Sequence, residues 1–206
     1  MTHNLAEILR LVLVTDDALI GGRDLVALCL AAERGGVTSV QLRLKRASAR
    51  ELAAAARALG AVLSVPLFLN DRVDVAIAVG AAGVHLGPDD VPLTAARRVA
   101  PTGFLIGVSV GSIDEARMAQ NADYWGIGPL HGTSTKPDAG APLDVQGFAG
   151  LARWAPKSVP CVAIGGVVPR DVSAILEAGG VGVAVIRGIL GGSTVEASAR
   201  AYAYAR

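Results

Sequence analysis

"PLFLNDRVDVAIAVGAAGVHLGPDD", residues 66–90, holds one whole unit of the architecture. A short apolar run (66–70) ends in polar Asn70 and Asp71. A small-residue segment of helical period (73–79) follows, then a second apolar run (83–87) that ends in Asp89 and Asp90. Such a unit reads as strand, crossover helix, parallel strand.

Working outward, the same grammar recurs along the chain. Further strand candidates are 9–16, 39–45, 104–109, 124–128, 161–166 and 182–188. Helical segments fall near 24–34, 49–62, 92–99, 112–121, 144–155, 169–178 and 193–205, and several open with Asp, Ser, Thr or Pro as helix N-termini do. Eight strands alternating with eight helices in 206 residues predict an α/β fold, a single (β/α)8 TIM barrel spanning 1–206. An open doubly wound sheet is the competing arrangement.

Composition agrees with close α/β packing. The chain is 52% apolar but only 4% aromatic, so its core is built from Ala, Val, Leu and Ile. A net charge of +1 without charge blocks argues against nucleic acid as a partner. Cys29 and Cys161 are too few for a disulfide framework and read as small core residues. With no secretory leader and no uncharged run of membrane-spanning length, the expectation is a cytoplasmic protein without membrane contact. Oligomeric state stays open, homo-oligomers included.

Chemistry in such a barrel collects on the loops after the strands. Alternation in "VQLRLK" (40–45) puts Gln41, Arg43 and Lys45 on one strand face, toward the barrel mouth. Buried cations require a counter-charge, which an anionic ligand would supply. Asp71 and Asp90, at the ends of neighbouring strands, either share a hard cation such as Mg²⁺ or cap the helices that follow. His85, on the inward parity, reads as a hydrogen-bonded core histidine. The glycine turns "AIGGVVP" (163–169) and "VIRGILGG" (185–192) sit where barrels commonly bind phosphate. "GPLHGTSTKPDAGAP" (128–142) interrupts the apolar chain after the sixth strand with hydroxyls and Lys136.

Together "VQLRLK", "NDRVDVAIAVGAAGVHLGPDD", "IGVSVGSIDEA", "DYWGIGPLHGTSTK", "VAIGGV" and "GVAVIRGI" resemble the thiamine-phosphate synthase family, in its order and spacing, over about residues 9–190. The resemblance implies a transferase that joins hydroxymethylpyrimidine pyrophosphate to thiazole phosphate, with Mg²⁺, releasing pyrophosphate. It places Gln41, Arg43, Lys45 and Asn70 on the pyrimidine substrate, Asp71 and Asp90 on the metal, and Ser109 and Lys136 on the pyrophosphate. It gives Thr133, Thr135, Gly166, Ile186 and Arg187 to the thiazole phosphate. Arg43, Lys45, Ser109 and Lys136 would stabilise the departing charge.

The chain departs from the family pattern in three places. His131 and Gly132 replace an aromatic-Pro pair, "GPDD" leaves Asp89 as a rival to Asp90, and Arg187 stands where serine is common. A related thiazole tautomerase and a non-catalytic barrel that binds thiazole phosphate are the alternative readings.

Overall fold

The computed structural model describes residues 4–133 and 140–205. After one helical turn, α1 (Leu5–Ile8), strand β1 (Leu11–Val14) leads through α2 (Asp17–Ile20) and α3 (Leu25–Arg34) to β2 (Ser39–Leu42). Then come α4 (Ala49–Gly60), β3 (Leu67–Asn70), α5 (Val73–Ala78), β4 (Gly83–Leu86), α6 (Leu93–Val99) and β5 (Leu105–Val110). The second half runs α7 (Ile113–Met118), β6 (Tyr124–Ile127), α8 (Asp144–Ala152) and β7 (Cys161–Ile164). A 3-10 turn (Pro169–Asp171) enters α9 (Val172–Glu177), followed by β8 (Gly182–Val185), α10 (Arg187–Leu190) and α11 (Val195–Ala203).

Each strand pairs in parallel with its neighbour in sequence, and β8 returns to β1 through Leu11↔Val183, Val12↔Ala184 and Leu13↔Val185. That pairing closes the barrel and excludes the open sheet. The expected helices are present, several of them shorter than their pattern. The four-residue helices α1, α2 and α10 were not expected, because one turn carries no readable period.

Local chemistry explains the helix starts. Asp24 accepts from the Val26 and Ala27 amides at the head of α3, and Ser48 and Glu51 form a reciprocal capping box on α4. Residues with small side chains bring the outer layer close. A Cβ on Gly35 would come within 2.6 Å of Ala199 Cβ, so its absence lets α11 lie against α3.

Two cores result. The larger, outside the barrel, packs strand residues such as Leu13, Leu42, Leu69 and Ile106 against the helices. The smaller, inside it, holds Val12, Val14, Phe68, Tyr124, Val162 and Ala184. Register places Asn70 beside His85, His85 beside Gly107, Gly107 beside Tyr124, and Ser109 beside Gly126. Glycine here is a spatial requirement. A Cβ at Gly107 would lie 2.0 Å from the Tyr124 ring, and one at Gly126 would lie 2.9 Å from His85.

Candidate active site

A cavity of about 430 Å³ opens where the strands end. Its lining includes Gln41, Arg43, Lys45, Asn70, Asp71, Asp90, Ser109, Thr133, Gly166, Ile186 and Arg187. These are all of the sequence-predicted site residues that the structure describes; Thr135 and Lys136 lie outside the described residues.

Strand alternation carries Gln41 inward but not the residues after it. β2 ends at Leu42, so Arg43 and Lys45 stand on the exit loop and not on the strand expected over 39–45. The end of β1 shapes that loop. Thr15 Oγ1 accepts from the Arg43 amide at 2.8 Å and donates to the Arg43 carbonyl at 3.0 Å, while Asp17 accepts from the Lys45 amide at 2.7 Å. Asp16 caps α2 with one carboxylate oxygen and binds Arg43 Nη1 with the other at 2.8 Å. Both side chains of that ion pair are nearly buried, 12% and 13% exposed. The counter-charge for Arg43 is therefore already within the protein, where an anionic ligand was expected to supply it.

On the next strands, Gln41 Nε2 donates to Asn70 Oδ1 at 2.8 Å. Asp71 adopts a left-handed backbone at φ 65°, a conformation costly for most side chains and more tolerable for Asp. Asp90 is its carboxyl neighbour, a like charge when Asp71 is ionised and a hydrogen-bond acceptor when Asp71 holds a proton. Burial first, then Asp90, raise Asp71 from 3.8 to about 7, against the opposing pull of Lys45 and Arg43.

The helix-capping alternative fails for both acids. Neither α5 nor α6 has a side-chain cap, and Asp90 Oδ2 accepts instead from the Gly87 amide at 2.7 Å. Among the described residues no three His, Cys, Asp or Glu side chains are grouped to hold a metal. Mg²⁺, however, commonly takes one or two carboxylates and completes its shell with water and phosphate oxygens. Two neighbouring carboxyl groups at the cavity offer the oxygen donors and the charge that such a cation needs. Asp89 also lines the cavity, but Asp90 is the neighbour of Asp71.

Across the cavity, the loop after β6 packs on the glycine turn after β7. The Leu130 and His131 amides donate to the Ile164 and Gly165 carbonyls, and His131 Nε2 meets Asp171 Oδ2 at 3.0 Å. Gly166, at φ 67°, has no room for a Cβ, which would sit 2.9 Å from that of His131. The departure at His131 thus ties two loops together. Tyr202 of α11 donates to the Val167 carbonyl at 2.9 Å and excludes any side chain from Gly188.

Sequence reasoning missed Asp16, Tyr124 and Tyr202. Asp16 carried a usable signal, an acid ending a strand beside a strand rich in cations. The tyrosines gave none, since each sits in an apolar pattern.

Known proteins give this geometry a context. The thiamine monophosphate synthase family model matches residues 11–189. Thiamine-phosphate synthase from Azorhizobium caulinodans is 44% identical over 93% of this chain and 92% of its own, and that from Chloroflexus aurantiacus 43% over 93% and 89%. The solved thiamine phosphate pyrophosphorylase from Pyrococcus furiosus superposes with a TM-score of 0.86 at 33% identity, covering 97% of this chain and 96% of its own. A 3-hexulose-6-phosphate synthase structure, at 18% identity and a TM-score of 0.68, shares the fold alone. With a family model spanning most of its length and relatives above 40% identity, the chain belongs to the thiamine monophosphate synthase family.

Proposed function

We propose that this transferase of thiamine biosynthesis joins hydroxymethylpyrimidine pyrophosphate to thiazole phosphate, giving thiamine phosphate and pyrophosphate. The observation that carries the reading is the pairing of Asp71 with Asp90 beside Arg43 and Lys45 in one cavity. Cations and acids side by side suit a polyanion that arrives with a divalent cation.

In this reading Gln41 and Asn70, hydrogen-bonded to each other, face the pyrimidine. Asp71 and Asp90 would hold Mg²⁺, which when bound neutralises charge on the pyrophosphate oxygens. Arg43, Lys45 and Ser109 bind the same group, and the family pattern adds Lys136. As the bond from the pyrimidine methylene carbon to the pyrophosphate oxygen breaks, negative charge grows on the leaving oxygens. The side chains placed there act more strongly on the transition state than on the substrate. The electron-rich pyrimidine carries the resulting positive charge until the thiazole nitrogen forms the new C–N bond. No protein nucleophile takes part.

Thiazole phosphate is assigned to the opposite wall, with Thr133, Gly166 and the Ile186–Arg187 turn, and the family pattern adds Thr135. The first amides of α10 supply donors there, because the first turn of a helix leaves its N–H groups without intrahelical partners.

Incubation with both substrates and Mg²⁺ tests the reading, with thiamine phosphate and pyrophosphate measured together. Both products are expected in equal amounts. Binding of thiazole phosphate without pyrophosphate release would assign the protein instead to the non-catalytic class.

A further inference from the structure

Beneath the cavity a polar chain runs through the barrel interior. Tyr124 Oη lies 3.2 Å from His85 Nδ1, and His85 Nε2 lies 3.1 Å from Ser109 Oγ. Tyr124 and His85 are buried, 4% and 7% exposed; Tyr124 lies below the cavity, while His85 and Ser109 both line it. The arrangement is built for these rings. They lie 5.5 Å apart between centroids, Phe68 meets Tyr124 edge-on at 5.8 Å, and Gly107 and Gly126 stand where a Cβ would collide with one ring or the other. An isolated buried hydroxyl and imidazole would be costly, whereas a connected chain is not. None of the chemistry above uses the two inner members.

The direction of the chain follows from donor strength. A phenol is a better donor than a neutral imidazole N–H, and an imidazole nitrogen is a better acceptor than a phenol oxygen. Burial raises the Tyr124 hydroxyl further above its ordinary range, so it keeps its proton. Tyr124 then donates to Nδ1, which leaves Nε2 as the ring nitrogen that carries a proton toward Ser109. That N–H donates to Ser109 Oγ, leaving the hydroxyl proton of Ser109 directed at the cavity.

We infer that Tyr124 and His85 are positioning residues that hold Ser109 as a hydrogen-bond donor toward the bound ligand, an oxygen acceptor such as a pyrophosphate oxygen. This rests on the reading that places Ser109 against that group. Without the phenol donating to it, Nδ1 can carry the ring proton instead, and Ser109 turns to donate inward to Nε2. The serine then stays in place but presents lone pairs to an anion.

Nitrogen-15 NMR of the histidine rings, with Tyr124→Phe, Ser109→Ala and the double variant assayed alongside, tests this. In the wild-type protein His85 is expected protonated at Nε2 and pyridine-like at Nδ1. The opposite tautomer overturns the inference and needs no variant. Tyr124→Phe is expected to lower kcat on the order of tenfold, the scale of one hydrogen bond, with little change in KM for the pyrimidine substrate. In the Ser109→Ala background the same change is expected to do nothing more. An unchanged kcat in Tyr124→Phe, or an equal loss with and without Ser109, overturns it. Full activity of Ser109→Ala would instead overturn the placement of Ser109 on the substrate, a separate failure.

Discussion

Asp71 is the residue whose protonation most visibly couples structure to conditions. Its pKa is raised in the folded state, from 3.8 to about 7, so the folded protein holds that proton more tightly than the unfolded chain. Stability from this source is complete below pH 3.8 and is lost as the pH rises through about 7. In chelator, the Asp71 contribution is expected to lower the melting temperature between about pH 4 and pH 7, the window these pKa values bracket. Asp71→Asn, which cannot ionise, is expected to remove that part of the slope; a variant that keeps the wild-type slope would place its origin elsewhere. Added Mg²⁺ is expected to stabilise the wild type at pH 8, but not Asp71→Asn. Asp16 makes the converse case. Asp16→Asn keeps an oxygen for the α2 cap while leaving Arg43 nearly buried and unpaired. A loss of about 3 kcal/mol is expected by denaturant titration, as for other broken buried pairs.

At the level of elements, the interior of the barrel is a fit between glycines on some strands and rings on others. Gly107→Ala drives a methyl group into the Tyr124 ring, and urea melts are expected to show a loss of about 3 kcal/mol or more. Period and alternation made the strands, the main helices and the inward Gln41 and His85 legible in the sequence; Asn70 was legible as a strand end, and Ser109 only through the family resemblance. They failed where a contact across strands decides the outcome. "LRLK" continues the strand alternation on paper, but Thr15, Asp16 and Asp17 bend its backbone out of β2 from 27 or 28 residues away. A pattern along one segment contains nothing of that. Tyr124 was equally opaque, because an aromatic residue in an apolar strand looks alike whether its hydroxyl is idle or bonded to His85.

For the whole molecule, the two thiols report on opening. Cys29 on α3 and Cys161 on β7 are buried, and burial pushes each up to about 12. Neither is expected to react with a thiol reagent at pH 8 in the native state, and both at one rate once denaturant unfolds the barrel. Rapid native labelling would contradict this packing. Closure itself joins the two ends of the chain, β1 to β8. On the ribosome, β1 therefore has no partner on that side until residues 182–185 emerge. At ordinary synthesis rates that interval is roughly 10–30 s, during which both outer strands of the growing sheet present unpaired backbone. The nascent chain is thus exposed to self-association at its edges until its last strand is made, and chaperone occupancy during synthesis is expected to fall as β8 leaves the exit tunnel.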